Sequence, residues 1–254
     1  MSSGQGFQKR SSQADSVVQL SEQGGVRVLH LGGSNVQSAM RLAAPLELEL
    51  AYTQCMMGFM LFHSKPENIL MIGLGGGSLA KFIYHRLPKI KTTAIEINPE
   101  VVSAARNYFF LPADDQRLQV IIAEGGEYVA GHPRSADVLM VDGFDDCRQV
   151  SSLCSQDFYN RAREALKRNG VLVVNLLSRD KGFRDYISRV EEAFTGRVAT
   201  LMVEVHGNLI VFAFKHSPGK RVWEDLQSRA AELEAELGLP FTKFVKKLHQ
   251  SNSF

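Results

Sequence analysis

Acidic side chains follow three apolar runs of this sequence. Glu96 ends the run TTAIE, Glu124 follows LQVIIA, and Asp142, Asp145 and Asp146 cluster directly after DVLMV. Carboxylates at such places can accept hydrogen bonds from hydroxyls and amines, and they can take up a proton during a reaction. The pattern indicates a site in which carboxylates hold a polar ligand.

A glycine-rich turn, IGLGGGS, lies between another apolar run and a helical segment. Gly73, Gly75 and Gly77 permit positive φ, and with Gly76 they leave a bare backbone that a ligand can approach. The helix that follows offers free N–H groups at its start. Glu96 comes about twenty residues later, where a carboxylate can bind a ribose diol.

The turn is compatible with a dinucleotide such as NAD and with an S-adenosyl ligand. Ser78 stands where the dinucleotide motif GxGxxG has its third glycine, and only one such strand-helix-strand half is evident. Both features favour an adenosyl sulfonium. The structural alternative is that the glycines only permit close packing between strand and helix.

Two of the acids have alternative interpretations. Glu124, followed by Gly125, can accept a hydrogen bond from an adenine amino group, or it can serve as an acid at a helix N-terminus. Asp142 follows buried strand residues, which favours a place in the site, because ligands of open α/β sheets bind outside the carboxyl ends of the strands. Asp146 is equally compatible with a solvated loop.

The elements that must position these residues alternate along the chain. The strands are continuous apolar runs, as in sheets with helices on both faces, so an α/β fold with a doubly wound, mostly parallel sheet and an antiparallel edge hairpin is predicted. The predicted strands are 69–74, 91–97, 118–123, 137–143, 170–177, 198–205 and 208–215. The predicted helices are 77–87, 98–110, 124–131, 155–168, 180–194 and 218–237, with a docked terminal segment after residue 238.

The first quarter of the chain has a different pattern. Residues 17–40 contain strand-like pieces separated by glycine pairs, which suit tight hairpin turns, and residues 46–63 favour a helix. We therefore predict a flexible tail at 1–16, a small β domain with a helix at 17–64, and a nucleoside-binding catalytic domain at 65–254.

Composition narrows the class of protein. The chain has 254 residues, 44% of them apolar, and a net charge of only +2, which argues against a nucleic-acid groove. No apolar run is long enough to span a bilayer, and no spacing of His and Cys suits a metal site. The 3 cysteines form no CxxC pair, which suits a reducing cytosol.

Taken together, these segments resemble the spermidine synthase (polyamine aminopropyltransferase) family over most of the chain. The family has a small N-terminal β domain and a Rossmann fold like that of AdoMet-dependent methyltransferases. Its motifs GGGDGG, E-I-D, GDG-x-E-F, D-S-S-D-P and Q-x-x-x-x-x-E-x-x-Y are similar to GLGGGS, to Glu96-Ile97-Asn98, to residues 123–128, to residues 142–146, and to Gln37 with Glu49 and Tyr52.

The resemblance implies a donor site and an acceptor site. Glu96 and Ile97 would hold the ribose end of decarboxylated AdoMet or AdoMet, together with the glycine turn, and Glu124 and Gly125 would hold the adenine end. No metal is implied.

On the acceptor side, the resemblance implies that Asp142 is the catalytic acid and that Asp145 holds the amine. Gln37 and Tyr52 would lie near the sulfonium, and Glu204 replaces a tyrosine that packs on the polyamine. The family's members often form homodimers, so a homodimer is expected as well.

Three functions are consistent with these residues. The first is aminopropyl transfer from decarboxylated AdoMet to a polyamine-type amine, which the retained Asp142 and Asp145 favour. The second is AdoMet-dependent methyl transfer, because Gly76 replaces an acid that would repel the carboxylate of AdoMet. The third is adenosyl binding without catalysis, since Gln54 and Glu204 also depart from the family motifs.

Overall fold

The computed structural model describes residues 17–33, 36–145, 148–204 and 207–251. The predicted flexible tail at 1–16 lies outside these residues, as do Asp146 and His206.

The chain begins with a small antiparallel sheet. Its strands are β1 (Val18–Gln23), β2 (Val26–Leu31) and β3 (Val36–Arg41), paired in sequence order. Gly24 and Gly25 form the first turn, with φ values of 57° and 75°, as a tight hairpin requires. The predicted N-terminal β sheet is confirmed.

The next segment differs from the single helix predicted for 46–63. The structure has a short helix α1 (Ala51–Met56) that continues as a 3₁₀ helix over Met57–Leu61. Gly58 explains part of the change, because a Cβ there would lie 2.8 Å from the ring of Phe212. The tight turn allows the backbone to pack directly on the large sheet.

The remaining chain alternates between strands and helices. The elements are β4 (Asn68–Ile72), α2 (Ser78–Arg86), β5 (Lys91–Glu96), α3 (Pro99–Tyr108), β6 (Leu118–Ile122), α4 (Gly125–Gly131), β7 (Ala136–Val141), the short pair β8 (Phe144–Asp145) and β9 (Arg148–Gln149), α5 (Gln156–Ala165), β10 (Leu166–Leu177), α6 (Phe183–Ala193), β11 (Val198–Met202), β12 (Asn208–Phe214), α7 (Lys220–Glu224), α8 (Leu226–Leu237) and α9 (Phe241–Ser251).

Seven of these strands form the large sheet, in the order β11-β12-β10-β7-β4-β5-β6. The five from β10 to β6 are parallel, whereas β12 runs antiparallel to both of its neighbours. Alternate strand residues contribute to two separate apolar clusters, one on each face of the sheet. The predicted doubly wound sheet with an antiparallel edge hairpin is confirmed.

Some helix boundaries differ from the predictions, among them the start of α6, which begins at Phe183 and not at residue 180. The helix expected to reach residue 168 ends at Ala165, because Leu166 is already extended and pairs with Ala136 of β7. The helix expected over 218–237 is divided at Asp225 into α7 and α8. The segment after residue 238 forms α9, whose buried face packs on α8 and β11.

The two sheets share a core. A third apolar cluster joins Leu29, Leu31 and Met40 of the small sheet to Val101, Ala104 and Phe109 on and beside α3. Within the described part of the chain, no helix combines the length and the apolar character needed to cross a membrane.

Candidate active site

The strand register brings three of the predicted site residues level with one another. Ile72 at the end of β4 pairs with Ile95 of β5 on one side and with Val141 of β7 on the other. The residues that follow, Gly73, Glu96 and Asp142, therefore lie side by side at the carboxyl edge of the sheet, where ligands of such folds bind.

The glycine turn packs directly against the segment that carries Asp142. Gly73 has φ 91°, and a Cβ at this position would collide with the backbone carbonyl of Asp142. A side chain is therefore excluded both by conformation and by space. Gly75 and Gly77 also have positive φ, and Gly77 precedes the first residue of α2.

Glu96 fixes the backbone of the glycine turn through hydrogen bonds. Its side chain is 3% exposed, and its carboxylate accepts hydrogen bonds from the backbone N–H of Leu74 at 2.9 Å and of Asn98 at 3.0 Å. Burial raises the pKa of Glu96, and the surrounding backbone N–H groups oppose that rise. The backbone N–H groups of Ile97 and Gly75 also hydrogen-bond this carboxylate, so a ligand hydroxyl would have to share or replace one of these four donors.

Gly76 lies in a crowded part of the cradle. A Cβ at this position would lie 2.7 Å from Oγ of Ser38 and 2.8 Å from the ring of Phe109. Ser38 is itself buried and lies 3.4 Å from the hydroxyl of Ser78. The space that a longer side chain would need at Gly76 is therefore occupied by the N-terminal sheet and by the end of α3.

Asp142 lies among hydrogen-bond donors. Nδ2 of Asn175 donates to Oδ1 of Asp142 at 2.9 Å, and the hydroxyl of Tyr52 also hydrogen-bonds this carboxylate. Desolvation raises the pKa of Asp142, and the two hydrogen bonds oppose it. Desolvation and the nearby Asp142 charge raise the pKa of Tyr52 well above its ordinary value, so Tyr52 remains a neutral donor.

Glu124 performs the structural role that was one of its two interpretations. Its side chain caps α4, with Oε2 accepting from the backbone N–H of Glu127 at 2.7 Å. Its other oxygen, Oε1, accepts a hydrogen bond of 3.2 Å from the hydroxyl of Ser152. Gly125 follows, and a Cβ there would collide with Ile72.

Two adjoining cavities open at this edge. One, of about 40 Å³, is lined by the turn together with Gln37, Ser38, Tyr52 and Asp142. The other, of about 250 Å³, is lined by Ile97, Glu124, Gly125, Val150, Ser152 and Leu153, among others. They share Ile72, Gly73 and Glu96. Glu96 therefore lies between the larger cavity, a largely apolar slot, and the smaller cavity, a polar chamber that contains Asp142.

The remaining predicted residues are placed as follows. Gln37 does reach the polar chamber, and its carbonyl oxygen lies 3.5 Å from the hydroxyl of Tyr52. Glu204 is not among the residues that line either cavity. It is exposed and pairs with Lys243 at 2.7 Å and Lys247 at 3.2 Å, and these hydrogen bonds lower its pKa. The side chain of Asp145 lies outside the described residues.

Sequence reasoning overlooked three polar residues at the site. Asn175 interrupts the apolar run VLVVNLL, Asn208 begins β12, and Ser38 lies between apolar residues of β3; all three are buried. A polar side chain inside a run that is otherwise buried needs a hydrogen-bond partner. That rule was the available signal for Asn175.

Among the residues that the structure describes, no group of three His, Cys, Asp or Glu side chains is placed to hold a metal ion. Cys55 and Cys154 are free and buried.

Comparison with known proteins identifies the class to which this fold and site belong. The family model described as "Spermine/spermidine synthase domain" matches residues 49–206. The chain belongs to this spermine/spermidine synthase family.

Its similarity to individual proteins extends over nearly the whole length. The chain is 43% identical to the polyamine aminopropyltransferase of Chromobacterium violaceum over 235 residues, which cover 92% of this chain and 90% of that protein. A probable spermidine synthase from Corynebacterium glutamicum has the same fold, with a TM-score of 0.70, 20% identity and coverage of 85% of this chain and 84% of that one.

A methyltransferase is also similar. The structure of human methyltransferase-like protein 13, in complex with SAH, has a TM-score of 0.65 and 26% identity to this chain, covering 74% of this chain and 93% of that one.

Proposed function

We propose that the protein is an aminopropyltransferase that moves an aminopropyl group from decarboxylated AdoMet to a polyamine-type amine. The observation that carries the proposal is Asp142, a carboxylate in a polar chamber beside the glycine turn, in a chain 43% identical to a polyamine aminopropyltransferase. We also expect a homodimer, on the strength of the family resemblance, and a cytoplasmic location, which the sparse cysteines suit.

The donor fits the two cavities by its chemistry. The largely apolar slot beside Ile97, Val150 and Leu153 suits an adenine ring, and Glu96 suits the ribose hydroxyls. Glu124 can offer Oε1 to an amino group of the base in place of the Ser152 hydroxyl. The sulfonium would then extend past Gly75 into the chamber of Asp142, where a carboxylate stabilises a positive charge.

The proposed reaction is a displacement at carbon. The neutral amine forms a new C–N bond to the aminopropyl carbon, the C–S bond breaks, and its electron pair remains on sulfur in methylthioadenosine. A free alkylammonium has a pKa of about 10, so the amine must lose a proton before or during attack. Asp142 takes that proton, and its raised pKa makes it a better base than an ordinary carboxylate.

Methyl transfer from AdoMet is the second candidate. It is favoured by the crowding at Gly76, where Ser38 and Phe109 leave no room for an acid that would repel the carboxylate of AdoMet. The similarity to a methyltransferase solved with SAH supports the same candidate.

A paired turnover assay tests both functions. The purified protein is incubated with decarboxylated AdoMet or with AdoMet, each with a panel of diamines and polyamines, and the products are identified by mass spectrometry. Methylthioadenosine formed only from the decarboxylated donor, together with an elongated amine, is the expected result. S-adenosylhomocysteine would instead assign the protein to the methyltransferases.

The matched variants are Asp142→Asn and Asp157→Asn, which removes an exposed acid of α5. We expect D142N to lose at least about a hundredfold in kcat, in line with the loss of a general base, and to retain binding of methylthioadenosine. D157N should behave as the wild type. Nucleoside binding without turnover for any donor in the wild type would contradict an enzymatic function with these substrates.

A further inference from the structure

A row of buried amides leads away from Asp142 across the sheet. Nδ2 of Asn175 donates to Asp142, and Oδ1 of Asn175 accepts from Nδ2 of Asn208 at 2.9 Å. Asn175 is 1% exposed and Asn208 is 5% exposed. Every donor in this row points toward Asp142, so the row matches a carboxylate that acts only as an acceptor.

Strand register places the three side chains in this row. Val174 of β10 pairs with Val141 of β7, so Asn175 lies level with Asp142. On the other side of β10, Asn208 of β12 pairs with Leu177 and is therefore a diagonal neighbour of Asn175 on the same face of the sheet. The row crosses three adjacent strands.

The far end of the row is anchored in the edge hairpin. The backbone carbonyl of Asn208 accepts from the N–H of Val203, and the carbonyl of Gly207 accepts from the N–H of Ser178, both at 2.9 Å. Asn208 is therefore held by the end of β11 and by the chain that leaves β10. Its own amide then fixes which way the Asn175 amide faces.

We propose that Asn208 and Asn175 are positioning residues that hold the Asp142 carboxylate ionised and oriented toward the acceptor amine. Neither residue touches the substrate in this scheme; each acts through the next. The proposal rests on the proposed function only in making Asp142 the proton acceptor.

The order of the hydrogen bonds explains how Asn208 can affect the Asp142 carboxylate without contacting it. Without the Nδ2 of Asn208, the Asn175 amide loses one contact that distinguishes its oxygen from its nitrogen. A reversed amide would present an oxygen to the Asp142 carboxylate, and two acceptors repel. The carboxylate would then bind a proton more readily.

The other titratable groups around Asp142 are few. Among the described residues that line its chamber, they are Tyr52 from α1 and Glu96 from β5. Tyr52 donates to Asp142 independently of the amide row, and Glu96 is bound by the backbone of the turn. Neither depends on Asn208, so a change at Asn208 isolates the row.

The test compares Asn208→Leu and Asn175→Leu with Val211→Ala, which removes buried bulk from the same strand β12 without touching the row. The acid limb of the pH–rate profile for kcat/KM should move upward by about one pH unit in N208L and by more in N175L, since loss of a hydrogen bond to a carboxylate raises its pKa. V211A should keep the wild-type midpoint, even if it is less stable.

A direct titration separates this proposal from the proposed function. The Asp142 carboxyl carbon is followed by NMR in protein labelled with ¹³C-aspartate, with D142N providing the assignment. An upward shift of its titration midpoint in N208L and N175L supports the positioning role of Asn208 and Asn175, even if the protein turns over no donor. Equal midpoints in wild type and N208L, or an equal shift in V211A, would overturn it.

Discussion

Glu96 is the carboxylate that we expect to serve both the glycine turn and the ligand. Its two oxygens are held by the N–H groups of Leu74 and Asn98, which fixes the carboxylate between the two cavities before any ligand arrives. Preorganisation of this kind reduces the cost of ordering on binding. The consequence is that a change at Glu96 affects both the turn and the affinity for the nucleoside.

We therefore predict that Glu96→Gln weakens binding of methylthioadenosine at least tenfold. The glutamine amide presents a donor to a backbone N–H. A hydrogen bond to a charged group is worth about 1.5–3 kcal/mol, and a loss of about 1.4 kcal/mol corresponds to a tenfold weaker affinity. Titration calorimetry measures the effect. Glu100→Gln, an exposed acid in the first turn of α3, is the control, and equal affinities for both variants would contradict the prediction.

We expect the buried carboxylate of Asp142 to lower the stability of the folded protein at neutral pH. Its folded pKa is raised by burial, so the stability associated with its protonated form is present below the unfolded pKa and is lost as pH rises through the folded pKa. We predict that Asp142→Asn is more stable than the wild type at pH 8, by about 1 kcal/mol. The difference should shrink toward pH 4 in urea unfolding; a variant that is less stable at pH 8 would refute this.

At the scale of elements, Lys81 of α2 joins the two sheets. Its Nζ donates to the carbonyl of Phe109 at 2.6 Å and lies 3.1 Å from the sulfur of Met40. The residue is 1% exposed, and desolvation lowers its pKa to about 8. Phe109 also closes the space at Gly76, so this buried contact supports the donor cradle from behind.

The lowered pKa of Lys81 gives a pH dependence of definite sign. A lysine with a depressed folded pKa contributes stability that is fully present above its ordinary pKa and is lost as pH falls through the folded value. Between pH 8 and pH 10, the free energy of unfolding of the wild type should rise by on the order of 1–3 kcal/mol relative to that of Lys81→Met. Urea unfolding at each pH measures it, with exposed Lys89→Met as the control; parallel curves for wild type and K81M would be inconsistent with it.

At the scale of the whole molecule, the two sheets form one packed body. Leu29, Leu31 and Met40 share a cluster with α3, and the polar chamber takes Gln37 and Ser38 from β3 and Asp142 from the large sheet. Neither this third cluster nor the chamber is complete within one sheet. Unfolding of the small sheet would therefore expose part of the core of the other and dismantle the chamber.

We predict a single cooperative unfolding transition for the 254-residue chain. Far-UV and near-UV circular dichroism should report the same midpoint. Methylthioadenosine at about a hundred times its Kd should stabilise the whole transition by about 2.7 kcal/mol. Two separate transitions, of which only the later one responds to the nucleoside, would show that the sheets unfold independently.

The sequence by itself determined the alternation of elements and brought the glycine turn and Glu96 together as a candidate ligand site. Continuous apolar runs predicted the parallel strands, and the glycine turn with Glu96 predicted a ligand site at their carboxyl edge. These features are local: periodicity, turn chemistry and one characteristic distance along the chain. The helix predicted for 46–63 is shorter in the structure and becomes a 3₁₀ helix after Met56, where Gly58 packs closely against β12.

Only the tertiary structure decided what surrounds Gly76 and Asp142. Ser38, Phe109 and Asn175 come from distant parts of the chain, and Asn208 reaches Asp142 only through the register of three strands. The tertiary structure also placed Glu204 in an exposed ion pair with Lys243 and Lys247 of α9, away from both cavities. Strand order and register are set by the summed packing of the core, so no local sequence pattern predicts contacts between such distant residues.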